Sequence, residues 1–277
     1  MNIKDIIRKS LAEDVGPGDY SSLSTIPTDV TNNAKLLIKE DGILAGIDIA
    51  EEVFRQVDSS LIFEKKMKDG TKVKVGDVAF IVSGSAISIL TGERLALNFM
   101  QRMSGIATAT NKYVKEIEGT NTKILDTRKT TPLLRELEKY SVKVGGGENH
   151  RFALYDMIMI KDNHIDFAGG IAQAIDSCNK YLLNKNLNLR IEIEVRDMNE
   201  LNQVLKKGNI HRIMLDNFTP TQISEALAII NNRYETEASG GITIETIRSY
   251  AETGVDYISV GALTHHIKSQ DMSLIAD

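Results

Sequence analysis

The sequence is poor in the residues that staple or punctuate a chain. Its 277 residues include one cysteine, Cys178, four prolines and no tryptophan. A lone thiol cannot build an intramolecular disulfide framework or a cysteine-based zinc ribbon, and it agrees with a reducing compartment. So few prolines exclude a proline-rich, low-complexity chain. No stretch approaches the roughly 18 apolar residues of a membrane span. The start, MNIKDIIRKSLAEDVG, carries charges throughout and lacks the apolar core of a secretory leader. Positive charge is not in excess either. Lys plus Arg number 33 against 38 Asp plus Glu, a formal charge of −5, which argues against a nucleic-acid binder or a basic membrane-surface protein. No segment repeats at a fixed period. The expectation is a cytoplasmic protein with neither nucleic acid nor membrane as partner.

What is present suggests two domains, or one α/β barrel with additions, at roughly 150 residues per domain. Ile3, Ile6, Ile7 and Leu11 make the apolar stripe of a first helix, which Gly16-Pro17-Gly18-Asp19 ends. Short strands at 34–38 and 61–64 flank a helix over 47–57. The segment 66–77 looks superficially like a biotinyl or lipoyl hairpin. Its simpler reading is two short strands joined by the Asp69-Gly70 turn. A long, mostly apolar helix is expected over 85–105 and another to about 118. Arg94 and Arg102 fall in this region, where an arginine usually snorkels to solvent.

From 123 onward strands and helices alternate. Strands are expected at 124–126, 157–160, 189–195, 213–215, 236–238 and 257–260. One helix begins at Asp197 with Glu200 three residues on. Another begins at Thr219-Pro220 with Gln222 in the same relation. Strand and helix in alternation imply right-handed βαβ units and a parallel sheet. The segment is short for a full barrel of about 250 residues, so a partial barrel fits best.

In such a barrel the reactive groups stand at the C-terminal ends of the strands. Those ends supply Arg128 and Lys129, then His150 and Arg151, Lys161, Glu192 and Glu194, Asp216, Ser239-Gly240-Gly241, and Gly261. Arginine and lysine suit carboxylates and phosphates. The glycine-rich turns before helices suit a phosphate. Glu194 and Asp216 suit Mg²⁺ or the hydroxyls of a sugar. Glu192 and Glu194 share one face of their strand, where an unpaired carboxylate would be costly, so each needs a partner or a role.

Several of these stretches together resemble one family. They are Asp126-Thr127-Arg128-Lys129-Thr130-Thr131-Pro132, Gly145-Gly146-Gly147-Glu148-Asn149-His150-Arg151, Lys161-Asp162-Asn163-His164, Met214-Leu215-Asp216-Asn217-Phe218 and Glu237-Ala238-Ser239-Gly240-Gly241-Ile242-Thr243. The chain resembles the quinolinate phosphoribosyltransferases over nearly its whole length. The resemblance implies an N-terminal α/β sandwich-type domain (1–107, with a tail of about 265–277 packing back on it) and an incomplete parallel α/β barrel (108–264). It implies a dimer with shared active sites. The reaction it implies joins quinolinate to phosphoribosyl pyrophosphate with Mg²⁺, giving nicotinate mononucleotide, pyrophosphate and CO₂ on the way to NAD.

Carried over by position, Arg128, His150, Arg151 and Lys161 would grip quinolinate, with Arg94 reaching in from the partner subunit. Lys129 would face the pyrophosphate. Glu194 and Asp216 would hold the ribose directly or through Mg²⁺, and Ser239, Gly240, Gly241 and Gly261 the phosphate. Lys129, Lys161, Glu194 and Asp216 would be the catalytic set. The chain departs from the family pattern at Leu133, where glycine is usual, at Ser21-Ser22 and at Phe152-Ala153. Two other readings stand beside this one. A Schiff-base lyase would use Lys161 as its amine. A non-catalytic relative, of the molybdenum-transport accessory kind, would be expected to lack the full Lys161–His164 element.

Overall fold

Helices and strands follow one another along the computed structural model, which describes residues 2–276. In chain order they are α1 (Ile3–Val15), α2 (Tyr20–Thr25), β1 (Thr31–Ile38), β2 (Gly42–Ile43), α3 (Ile47–Val57), β3 (Ile62–Lys65), β4 (Lys72–Val73), β5 (Val78–Ser85) and α4 (Ala86–Glu116). Then come β6 (Lys123–Leu125), α5 (Arg135–Val144), β7 (Ile158–Ile160), α6 (Asp162–Ala168), α7 (Ile171–Lys185), β8 (Ile191–Val195), α8 (Met198–Lys207), β9 (Arg212–Asp216), α9 (Pro220–Ile230), β10 (Glu235–Ser239), α10 (Ile247–Ala251), β11 (Tyr257–Ser259), α11 (Ala262–His265) and β12 (Met272–Ala276). The chain groups into two units. One takes the chain through Asn111, Thr130–Gly146 and the chain from Leu263; the other takes Lys112–Lys129 and Gly147–Ala262. The stretch 130–146, read in sequence with the barrel, thus groups with the first unit.

An antiparallel sheet in the order β12-β1-β5-β3 organises the first unit. Ala34, Leu36 and Ile38 of β1 are buried on one face, at the two-residue period of a half-covered strand. Below them α3 buries Ile47, Ala50, Val53 and Phe54, the stripe of an amphipathic helix. Phe54, Phe63 and Phe80 close this core, with the Phe63 and Phe80 rings 4.4 Å apart. The C-terminal strand β12 runs antiparallel to β1, with Leu274 opposite Leu36.

Three expectations for this unit change. The 66–77 segment is not a self-paired hairpin, because β4 pairs with β2. Asp69 is instead a helix cap: its carboxylate accepts from the amides of Gly46 (2.8 Å) and Ile47 (3.1 Å) at the start of α3. The two helices over 85–118 are one, α4, of 31 residues. Gly105 does not break it. A Cβ there would sit 2.4 Å from the Lys268 carbonyl oxygen, so the glycine serves close backbone approach. Arg102 does not snorkel. Its guanidinium binds the buried Glu138 carboxylate (2.6 and 2.9 Å), the Thr131 hydroxyl (2.7 Å) and the Thr264 carbonyl (3.2 Å).

The second unit carries six strands in the order β6-β11-β10-β9-β8-β7, each pair parallel. β6 and β7 form the two edges, so this is the incomplete parallel barrel expected. Helix starts follow the sequence signals. Thr219 and Gln222 complete a reciprocal capping box ahead of Pro220. Asp197 caps α8 by accepting from the amides of Asn199 and Glu200. Glu200, however, turns back to bind Arg196. Helices α5, α6 and α7 were not anticipated.

Leu133 has a φ of 69° and is 68 % exposed. That left-handed backbone suits glycine better than leucine, because a Cβ there crowds the following carbonyl. Leu133→Gly is expected to raise stability by about 1 kcal/mol, read as a higher urea midpoint. A fall in the midpoint would show that Leu133 makes a compensating contact.

Candidate active site

Because all six strands run in parallel, their C-terminal ends lie on one side of the sheet. Arg128 and Lys129 follow β6. His150 and Arg151 sit in the loop before β7, and Lys161 follows β7 directly. Glu194 is the fourth residue of β8, Asp216 and Ser239 end β9 and β10, and Gly261 follows β11. The strand ends thus put Arg128, Lys129, Lys161, Glu194, Asp216, Ser239 and Gly261 on one side, and the parallel bridge of Glu148 to Leu125 carries the loop of His150 and Arg151 alongside the end of β6. Arg94 belongs to α4 in the first unit and is exposed.

Acidic groups stand at the ends of β8 and β9. The Lys161 ammonium is ion-paired with the Glu194 carboxylate. On the neighbouring strand Asp216 accepts from the Asn217 side-chain amide at 2.7 Å. Carboxylates are the donor type Mg²⁺ takes, one or two from the protein with waters and substrate phosphates completing the octahedron, and Glu194 and Asp216 are the two such groups at these strand ends.

A glycine turn flanks this pair. The Asn217 amide donates to the Ser239 carbonyl at 2.8 Å and ties β9 to β10. Gly240, at φ 102°, passes so close that a Cβ would meet Asn217 Oδ1 at 2.2 Å. Gly241, at φ 60°, faces open space and needs glycine for its conformation alone.

The cationic side is built by Arg128 and Arg151. Arg128 Nε is buried, and among the described residues it has no hydrogen-bond acceptor. Arg151 donates to the Met157 carbonyl at 3.3 Å. Burial first, and then the charge of Arg128, depress its pKa. Two partly buried guanidiniums that repel one another suit an anion with two acceptor faces. Beyond Arg151 the chain turns on Asp156, which accepts from the amides of Phe152 (2.6 Å) and Ala153 (2.7 Å).

Under these groups the inner face of the sheet is charged. His150 Nε2 lies 3.0 Å from Glu192 Oε2 and 3.3 Å from Glu237 Oε2. Arg212 donates to Glu237 (3.1 Å) and to Glu235 (3.1 Å). Its guanidinium also stacks 4.1 Å from the Tyr257 ring centroid. Burial and the facing charge of Glu237 push the Glu192 carboxyl up to about 7. Burial disfavours charge on His150, but the bonds and charges of Glu192 and Glu237 outweigh it and raise its pKa. The Arg151 amide works the other way, since it donates to Nδ1 at 2.6 Å and needs that nitrogen unprotonated. The sequence reading passed over Arg212 and Glu237. The signal for Glu237 was the two-residue spacing that sets Glu235, Glu237 and Ser239 on one face, and that for Arg212 was the same spacing with Met214 and Asp216 on β9.

An open parallel barrel with a cationic side, an acidic pair and a glycine turn at its mouth has the group types that suit a polyanionic sugar phosphate. The comparisons name the family. The quinolinate phosphoribosyl transferase N-terminal domain matches residues 19–104, and the C-terminal domain of the same family matches residues 106–275. The chain is 46 % identical, over its full length and 83 % of the relative, to quinolinate phosphoribosyltransferase (decarboxylating) 1b of Nicotiana tabacum. It is 45 % identical, over its full length and 83 % of the relative, to the chloroplastic nicotinate-nucleotide pyrophosphorylase (carboxylating) of Arabidopsis thaliana. The solved nicotinate-nucleotide pyrophosphorylase of Francisella tularensis superposes with a TM-score of 0.94 at 42 % identity, covering 99 % of this chain and 96 % of that one. The chain belongs to the quinolinate phosphoribosyltransferase family.

Gly240→Ala is expected to cost about 2 kcal/mol through the collision with Asn217, and Gly241→Ala about 1 kcal/mol through backbone strain alone. Urea unfolding of both variants measures this. Equal losses would show that the Asn217 contact does not constrain the turn.

Proposed function

We propose that this protein is a pentosyltransferase that moves phosphoribosyl from phosphoribosyl pyrophosphate to quinolinate. Decarboxylation then yields nicotinate mononucleotide, pyrophosphate and CO₂, a step of NAD biosynthesis. The observation that carries the reading is the neighbouring pair of Arg128, with its buried Nε, and Arg151 on a sheet whose adjacent strands β8 and β9 also carry the acidic residues Glu194 and Asp216. A pyridine dicarboxylate and a ribosyl cation are the two fragments such a division would hold. In this reading Arg128, His150, Arg151 and Lys161 serve the quinolinate carboxylates, with Arg94 contributed by the partner subunit of a homodimer. Lys129 faces the pyrophosphate, and the Ser239–Gly241 turn with Gly261 cradles the 5′-phosphate. Glu194 and Asp216 would hold Mg²⁺, which when bound offsets the charge of the pyrophosphate. A cytoplasmic location belongs to the same reading. Among the described residues no helix is long and apolar enough to cross a membrane.

The chemistry follows from placement. As pyrophosphate leaves, the ribose gains oxocarbenium character, and the carboxylates of Glu194 and Asp216 stabilise that charge from fixed positions. The pyridine nitrogen attacks the anomeric carbon, aided by orientation on Arg128 and Arg151 rather than by a covalent enzyme intermediate. The resulting pyridinium stabilises the electron pair that the breaking C–C bond leaves on the ring carbon; CO₂ departs, and a proton from solvent takes its place.

Quinolinate with phosphoribosyl pyrophosphate and Mg²⁺ is expected to give nicotinate mononucleotide and CO₂, while nicotinate as the acceptor gives far less product. No product from quinolinate would sink the reading. Equal use of nicotinate would remove the grip on the second carboxylate. Lys161→Ala is expected to lower kcat/KM for quinolinate by about 100-fold, near 3 kcal/mol, and unchanged turnover would exclude Lys161 from the site.

A further inference from the structure

We infer that Arg102 is a positioning residue for phosphoribosyl pyrophosphate. From α4 its one guanidinium holds two segments whose near neighbours meet that substrate. They are Thr131, two residues beyond Lys129, and Thr264, three residues beyond Gly261. The inference rests on the roles given above to Lys129 and Gly261.

Both segments are held just where the chain changes unit. It passes from the second unit to the first between Lys129 and Thr130, and again between Ala262 and Leu263. Thr131 is fixed from two sides. Arg102 Nη2 donates to its hydroxyl at 2.7 Å, and its amide donates to Glu138 Oε2 at 3.2 Å. Glu138 is 1 % exposed, and its other oxygen accepts from both Nε and Nη2 of Arg102. Thr130 is held as well, since Arg135 Nε donates to its hydroxyl at 3.0 Å. The helix that carries Glu138 has little freedom to shift. At its far end a Cβ on Gly145 would lie 2.4 Å from the Ala107 carbonyl oxygen, and the Asn111 side chain donates to the Gly145 carbonyl at 3.2 Å. So α5 is locked to α4 at both ends, and Arg102 is the lock at the end nearer Lys129.

An arginine that only neutralised Glu138 would need no further partner. This one also reaches a hydroxyl and a carbonyl in two separate segments, and its planar fork fixes the directions of these bonds together, as a flexible ammonium does not. Lys129 is exposed and stands two residues from the pinned Thr131. Arg128, by contrast, has its Nε buried in its own surroundings. Arg151 and Lys161 belong to segments that none of these bonds reaches. The pin therefore bears on one substrate more than on the other.

Two measurements test the inference. Arg102→Lys keeps a cation beside Glu138, and is expected to fold, but loses the fork. It should raise the KM for phosphoribosyl pyrophosphate about tenfold while the KM for quinolinate moves less than about twofold. Thr131→Val should shift the same constant in the same direction by about threefold, and Thr131→Ser, which keeps the hydroxyl, should leave it at the wild-type value. Equal rises in both KM values, a fall in kcat alone, or wild-type constants in Thr131→Val would mark the Arg102 bonds as merely structural and overturn the inference. Without substrate, amide hydrogen exchange over 127–133 should be about tenfold faster in Arg102→Lys, with the α5 amides at their wild-type rate. An unchanged rate over 127–133, or an equal acceleration of α5, would overturn it too. Wild-type protein that is inert toward quinolinate and phosphoribosyl pyrophosphate would fault the proposed function instead, and the exchange rates would still decide whether Arg102 pins the loop.

Discussion

Charge inside a parallel sheet must be paired, and that requirement governs the second unit. A barrel interior is ordinarily filled with branched apolar side chains. Here the inner face carries Glu192, Arg212, Glu235 and Glu237, and a buried carboxylate without a cation would cost several kcal/mol. The pairs close locally, Arg212 with Glu237 and Glu235, and Arg190 with Glu235. Truncating one member would strand another. The strands are therefore held in register by ion pairs as well as by backbone bonds, and the loops at their ends start from fixed points.

That arrangement reconciles an acidic chain with a cationic site. The formal charge of −5 describes the whole surface. Arg128 and Arg151 act in a partly buried space, where burial first, and then the like charge of Arg128, depress the Arg151 pKa. Solvent and salt damp the dispersed acidic charge outside, while the mouth of the sheet keeps its own sign. Lys161 binds its charge to Glu194 at the boundary between the cationic and acidic sides.

The alternation of strands and helices after 123, the caps at Asp197 and Thr219, and the gathering of Arg128, His150, Lys161, Glu194 and Asp216 were legible in the sequence. Each depends on local spacing or on the direction of parallel strands. Other features depend on partners distant in sequence. Arg102 looked like a snorkelling side chain because Glu138 lies 36 residues away. Asp69-Gly70 looked like a hairpin turn because nothing local shows that β4 pairs with β2 across the chain. Glu192 drew notice as a carboxylate needing a partner, but its relation to Glu237 and Arg212 exists only once β8, β9 and β10 lie side by side. Leu133 was noticed as an odd residue, and its backbone angle supplied the physics.

The pairing of β12 with β1 has a consequence for how the chain is made. Ala34 finds its partner at Ala276, so one edge of the first sheet waits for a segment synthesised after the whole of the β6–β11 sheet. The β6–β11 sheet can assemble from segments already synthesised. The earlier-translated sheet must keep the free edge of β1 from pairing elsewhere in the meantime, the period in which exposed strand edges invite misassembly. The three polar residues Thr31, Asn32 and Asn33 at the start of β1, all solvent-exposed, make the leading end of that edge a poor template for a stray strand.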